Sequence, residues 1–472
     1  METAEVRRFT YYTIPALCFL LLVSVITGCD SSSDSPPDSL SDDPGFDKYF
    51  GSLRYETDAT GFFRVEKIGE QWWLITPEGH PFFSTGINAL RFSGTPTAEG
   101  VKHYEETVQE KYGTREAWAQ AQFERCGEWG WNTVGAWSDW ELFKHQMPYT
   151  IILGLGQGDW LTGELADYFS EEFRENARKK ILDITTGLTD DPFLVGYFLD
   201  NELRWGQDWR GGHLFDEYMA MDIGTCAGKQ ALMQFVQNRY VTVAAVKEDF
   251  ETDASSWGEL GAQTVLPAWE TEGAIATRTE WTGVVAEEFF STLDEELSEV
   301  DPNHLNLGVR FVSQLVPRAA IAAAGNYVDV MSINFYDLIG NLEDELQILD
   351  PDYLPVDDFL SAHYDAGGRP ILISEWGYRA ADSGLPNTWP PIYPVLETQE
   401  ERSDAYETYF QEVLDRSWFV GQHWFLYTDQ PPEGRFDGEN NNFGLVNEQD
   451  EPYELMVERS AMMHEKIYKR LP

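Results

Sequence analysis

The sequence predicts an α/β fold, a (β/α)₈ TIM barrel with an N-terminal β-hairpin extension and a long insertion after the fourth strand. Three observations predict it. Eight short apolar runs recur along the chain, each ending in polar residues, with segments of helical period between them. A hairpin signal precedes the first run, and from residue 48 onward no second linker, repeat or low-complexity segment interrupts the body. Eight buried strands, each followed by a helix, suit a closed barrel better than an open doubly wound sheet, which is the rival architecture.

In chain order the first element is a targeting segment, residues 1–28. Arg7 and Arg8 precede the apolar stretch "FTYYTIPALCFLLLVSVITG", and Cys29 follows small residues in "ITGC". The pattern resembles a bacterial lipoprotein signal, cleaved before Cys29 with a lipid placed on its sulfur. An uncleaved anchor is the alternative, because about 20 apolar residues suffice to span a bilayer. Either way the body is expected outside the cytoplasm, held to the cell envelope by its N-terminus. Residues 29–47, rich in Ser, Asp and Pro, carry too little apolar surface to fold and read as a tether. The folded domain is then 48–472. Of the four cysteines only Cys126 and Cys226 remain to pair, and one disulfide at most is possible.

The body opens with "GFFRVEKIGEQWWLITPEGHPFF", two alternating runs separated by "IGEQ" and closed by "PEGHP", the language of a hairpin. The eight runs follow at 82–88, 131–137, 150–156, 194–200, 305–311, 328–334, 371–375 and 420–427. Among the intervening helices the clearest starts at Thr398, which forms a capping box with Glu401. Residues 207–300 form the insertion, in which "QALMQFVQNRYVTVAAVKEDF" and "GVVAEEFFSTLDEELSEV" read as helices. An insertion on a strand-end loop walls the cleft or serves assembly.

Barrel chemistry sits where the strands end. The runs stop at Asn88, at Trp137 with Ser138 and Asp139, at Asn201 and Glu202, at Asn334 and Tyr336, at Glu375, and at Trp424 with Asp429. Glu202 and Glu375 therefore face one mouth from the fourth and seventh strands. Retaining cleavage of a glycosidic bond needs one carboxylic acid to protonate the leaving oxygen and one carboxylate to attack the anomeric carbon, about 5 to 5.5 Å away. A surface salt bridge is the ordinary fate of a glutamate, but both of these end apolar strands.

The segments "FLDNELRWG" and "ISEWG" resemble the signatures of clan A retaining glycoside hydrolases. With "WNTVGAWSD", "TQEERSDAY" and "GQHWFLYTDQPPEGRFDGENNNFGLVNEQDEPYE" they are similar, more narrowly, to glycoside hydrolase family 50, the β-agarases. The resemblance covers most of the chain from the hairpin onward, and "YRAADSGLPNTWP" departs from it. It implies that Glu202 is the acid/base and Glu375 the nucleophile, that Tyr336 donates to Glu375, and that Asn201 bonds the sugar 2-hydroxyl. A general acid needs a raised pKa and a nucleophile needs donors that keep it ionised.

Trp137, Trp205, Trp376 and Trp424 sit at strand ends where they can stack on sugar rings or plug the barrel top; Trp137 and Trp424 are the ligand-facing candidates. In "GRFDGENNNFG", Arg435, Asp437, Glu439 and Asn440 can bond sugar hydroxyls, and Asn88, with Asn132 and Asp139, is a further candidate. The formal charge of −48, from 81 acidic and 33 basic residues, argues against nucleic acid and highly sulfated glycans as partners and favours a neutral polysaccharide or its oligosaccharides. No phosphate loop, metal-spaced His pair, EF-hand or nucleophile elbow occurs, so no metal or cofactor is expected. The function expected is hydrolysis of an agar-type galactan, or of another neutral β-linked glycan or galactoside by the same mechanism. The alternative from a different class is a glycan-capturing lipoprotein, which would have no use for paired glutamates.

Overall fold

The computed structural model describes residues 45–268, 270–312, 314–338 and 358–472. The expected leader, Cys29 and the tether through residue 44 lie outside the described residues, and among those described no helix is long and apolar enough to cross a membrane.

Arg64–Ile68 and Gln71–Ile75 pair antiparallel, from Arg64 opposite Ile75 to Ile68 opposite Gln71. Gly69, at φ +61°, turns the chain between them in a conformation that a side chain would strain. Pro81–Phe82 adds a third strand, and Trp73, Leu74 and Ile75 bury one end of this sheet against the barrel.

Among the described residues nine parallel strands form the main sheet. They are Ser84–Ile87, Thr133–Val134, Tyr149–Ile152, Leu194–Phe198, Leu305–Asn306, Phe311–Val312, Met331–Asn334, Ile371–Trp376 and Phe419–Trp424. Almost all their residues are buried, as a parallel sheet covered by helices requires. The eighth apolar run pairs with the first, Gly421 opposite Ser84. The fifth run, expected as one strand, is two, because Gly308 at φ +75° breaks it. Its first half pairs with Leu194–Phe198 and its second with Met331–Asn334. The stretch 305–312 therefore carries both edges of the sheet. The sheet is curled and TIM-like, not an open doubly wound one.

Helix Gln399–Leu414 begins as its capping residues dictate: Thr398 Oγ1 accepts from the Glu401 N–H at 3.2 Å. The Glu401 carboxylate takes the Glu397 N–H at 2.8 Å, one residue before the cap. Among its described residues the insertion holds five helices, Leu214–Ala220, Ala227–Tyr240, Val243–Phe250, Trp257–Ala262 and Glu272–Val300. The run 230–250, read as one helix, is two, because Val241 takes φ +60° and the Thr242 hydroxyl caps the next helix at Ala245. Cys126 and Cys226 are both free thiols, and burial pushes Cys126 up to about 12.

Candidate active site

The strand ends open into a cavity of about 990 Å³. Glu202, Glu375, Asn201, Tyr336, Trp137, Asp437 and Glu439 all line it. Two carboxylates from distant parts of the chain thus share one opening. Glu375 is nearly covered, whereas Glu202 is half-buried.

Arg310 organises the floor. Its Nη2 donates to Glu375 Oε2 at 2.6 Å, its Nε to Asn201 Oδ1 at 2.8 Å and its Nη1 to Asn88 Oδ1 at 3.5 Å. The guanidinium lies 4.5 Å from the Trp137 ring and 5.1 Å from that of Phe198. Tyr336 donates its hydroxyl to Glu375 Oε1 at 2.8 Å, so each oxygen of this carboxylate holds one donor. Asn334 Nδ2 donates to Glu202 Oε1 at 3.0 Å and to Asn201 Oδ1 at 3.2 Å, and its Oδ1 accepts from Ser374 at 2.8 Å. A chain of polar contacts therefore joins the two glutamates beneath the cleft.

Burial pushes Glu375 from 4.5 up to about 7; the Arg310 charge opposes this, the Glu202 charge adds to it, and the Tyr336 and Arg310 hydrogen bonds pull down. The raised value falls on the strand-seven glutamate, whereas the roles drawn from the resemblance called for it on Glu202. The two fixed donors nevertheless suit an ionised Glu375, since a guanidinium can only donate.

Two of the sequence candidates are placed differently. Trp424 is wholly buried, donating from its indole to the Phe443 carbonyl at 2.8 Å and packing edge-on to Trp376. Strand alternation explains this: Gln422 and Trp424 meet Tyr406 of the outer helix, whereas His423 points inward to Ser84 and Phe198. Phe425, the next residue, lines the cleft instead. Asn88 is also wholly buried; its amide donates to the Ser374 carbonyl at 3.0 Å and accepts from the Ala136 N–H at 2.9 Å and from Arg310, so it braces the floor and does not line the cavity. Trp205 and Trp376 are core residues. Asp437 and Glu439 line the cleft, paired with Arg435 at 2.7 and 3.0 Å.

Sequence reading missed Arg310, Trp209, Trp389 and Tyr393. Arg310 left a signal, a lone arginine inside the apolar run "LNLGVRF", and a charge in such a run must be buried and paired. The exposed tryptophans of the described residues, Trp137 at 39%, Trp209 at 60% and Trp389 at 50%, all line the cleft. Trp389 and Pro390 end the segment expected to depart from the agarase pattern, and Tyr393 follows it by three residues. Buried Arg379 pins them by donating to the carbonyls of Pro390 and Tyr393, both at 2.8 Å. Among the described residues the one group spaced for a metal, Asp47, Glu78 and His80, does not line the cleft, and Asp47 Oδ2 already accepts from Thr76 at 2.5 Å and contacts His80 Nδ1 at 2.8 Å.

The curled parallel sheet, whose strand ends deliver two glutamates into an aromatic cleft, gives the chain a likeness to glycoside hydrolases. More particularly, the chain is similar to β-agarase B and β-agarase A of Vibrio sp. (strain JT0107), at 25% identity over 87% of its length and 29% over 84%. It spans about half the length of these curated relatives, 48% and 45%. Among solved structures it matches an agarase, AgWH50C, with TM-score 0.77 and 26% identity, over 92% of this chain and 69% of that one. An exo-β-agarase matches with TM-score 0.77 and 25% identity, over 91% and 68%. No protein-family model matches. The likeness to family 50 glycoside hydrolases read from the motifs is borne out.

Proposed function

We propose that the chain is a retaining β-glycoside hydrolase that acts on neutral, agar-type galactan or its oligosaccharides, with Glu202 as acid/base and Glu375 as nucleophile. The observation that carries the reading is the pair of glutamates on one cleft, with Glu375 gripped by Arg310 and Tyr336. In the first step a Glu375 oxygen bonds to the anomeric carbon while the glycosidic C–O bond breaks and the leaving oxygen takes the Glu202 proton. In the second, water attacks the anomeric carbon as Glu202 removes its proton, and the bond from that carbon to the Glu375 oxygen breaks to release the carboxylate. The relatives' β-agarase names support the substrate class. The acidic residues that line the cleft, Asp159, Asp200, Asp208, Asp437 and Glu439 beside the glutamate pair, outnumber the lining arginines Arg91 and Arg435 and so disfavour anionic glycans.

The wall built by Trp389 to Tyr393 supports a second substrate reading, the same mechanism on another neutral β-galactoside or β-glycan. We also propose, on the sequence of residues 1–29, that the protein is a lipoprotein of the bacterial cell envelope. The test of the function is incubation with agarose, other neutral galactan, glucan and mannan oligosaccharides, with products separated and the initial anomer followed by NMR. Glu375→Gln should abolish turnover and retain binding; unchanged turnover removes Glu375 from the reaction, and an inverted first product removes the retaining mechanism.

A further inference from the structure

We propose that Arg210, on the insertion, is a positioning residue that holds the acid/base Glu202 in its working place through the backbone; the inference rests on the hydrolase reading above. Glu202 sits at φ +53°, a left-handed conformation that a glutamate adopts only when its surroundings impose it. Its two backbone groups are both held. The N–H is shared by the carbonyls of Val309 and Arg310, at 3.2 Å each, and the carbonyl accepts from Arg210 Nη1 at 2.9 Å.

Arg210 is itself fixed on every side. Its side chain is fully buried, paired to Asp208 Oδ2 through Nε at 2.9 Å and Nη2 at 2.6 Å. The guanidinium lies 4.4 Å from the Trp209 ring and 5.9 Å from the Trp160 ring, and both indoles line the cleft. The loop is closed by the Asp208 N–H donating to the Gly211 carbonyl at 3.1 Å, so it presents the guanidinium from a short, stiff turn. A planar fork with both ends committed is suited to fixing a carbonyl's direction, which the flexible ammonium of lysine is not. Glu202 lies four residues past the strand end at Phe198, and the neighbouring stretch holds only its N–H, leaving its carbonyl to be fixed from elsewhere. Arg210 supplies that constraint from the insertion, which gives the segment after strand four a role in the chemistry as well as in walling the cleft.

Proton donation matters only where the leaving group needs a proton. An alcohol leaving from a sugar chain does, whereas 2,4-dinitrophenolate departs as a stable anion. A misdirected acid therefore slows the first substrate class and spares the second, but a general loosening of the cleft slows both. kcat/KM reports the step up to glycosyl-enzyme formation, so it isolates this effect from the later hydrolysis.

The experiment measures kcat/KM of wild type and Arg210→Met on agarose oligosaccharides and on 2,4-dinitrophenyl β-galactoside, with circular dichroism melts alongside. The expected loss is about 100-fold on the oligosaccharides and under about threefold on the aryl galactoside, in keeping with a misplaced proton donor. Arg210→Lys should recover only part of the loss. Should Arg210→Met not fold, Asp208→Asn, which frees the guanidinium without removing it, should show the same bias more weakly. Equal losses on both substrates, or no loss on either, overturn the assignment. Wild-type protein inert on both substrates overturns the hydrolase reading, and this inference with it.

Discussion

Arg310 Nη2 meets Glu375 Oε2 at 2.6 Å, a contact between a fully buried guanidinium and a nearly buried carboxylate. Arg310 itself stands at φ +50°, two residues after the glycine that breaks the fifth run, so the break in the strand is what turns the side chain toward the barrel axis. Had Phe311 and its neighbours continued the strand from Leu305 without interruption, this charge would have had no route to Glu375. The closure of the sheet and the electrostatics of the cleft thus depend on one irregular stretch.

The pH dependence of turnover follows from Glu375. Its pKa is raised from 4.5 to about 7, so the carboxylate is protonated at mildly acidic pH. In the proposed reaction only the ionised form attacks. kcat/KM should therefore fall about tenfold per pH unit below about 7, not below the ordinary glutamate range. A pH–rate profile flat down to pH 5 would contradict this.

Arg310→Met removes the positive charge that favours the ionised carboxylate. The pKa of Glu375 must then rise further, moving the acidic limb of the profile to higher pH, and the loss of a positioned donor should lower kcat by about 100-fold or more at pH 7. Arg310→Lys keeps the charge but cannot reach Glu375, Asn201 and Asn88 together, so it should restore the limb better than the rate. Steady-state profiles of the two variants separate charge from geometry; a lysine variant identical to wild type would mean that charge alone matters, and two variants identical to each other that charge does not.

Trp389 stands half-exposed on the cleft wall, and its loop is held through backbone carbonyls that a side-chain substitution leaves in place. Trp389→Ala should therefore keep the loop and lose only the ring. Removing one stacking face of about 1 to 1.5 kcal/mol corresponds to roughly tenfold in kcat/KM on oligosaccharides. The loss should be smaller on an aryl galactoside that fills a single sugar position. Comparing kcat/KM across chain lengths checks it, and a loss independent of length would place Trp389 elsewhere in the reaction.

Much of this was legible in the sequence because parallel strands buried on both faces leave continuous apolar runs, and the polar residue that ends each run is forced to the mouth. Glu202, Glu375, Asn201, Tyr336 and Trp137 were found by that rule. It failed where position and direction part company. Trp424 ends its run yet points outward, because alternation along the strand and not distance from its end decides the face. Asn88 reaches the mouth but has its amide consumed by Ser374, Ala136 and Arg310. Trp209, Trp389 and Tyr393 were invisible because loops carry no periodicity, and only the folded chain shows which of their side chains turn inward.

The core predicts its own acid sensitivity. His363 is fully buried between Phe311 and Phe359, and neither ring nitrogen has a hydrogen-bond partner among the described residues. Burial alone lowers its pKa from 6.5 to about 3. The unfolded chain therefore binds a proton below about pH 6.5 that the folded protein refuses, and the folded state loses stability as pH falls from about 6.5 toward about 3. At pH 5 the loss from this one residue is about 2 kcal/mol, from about 1.5 pH units at about 1.4 kcal/mol each. His423 and His464, also lowered to about 3, add to the same slope. His363→Leu removes the linked proton and two unpartnered nitrogens at once. It should be at least as stable as wild type at pH 7.5, and its advantage should widen by about 2 kcal/mol at pH 5, which urea unfolding at the two pH values measures directly. If the gap between variant and wild type were the same at both pH values, the folded protein would have to accept the proton at His363, and the ring could not be sealed in an apolar core.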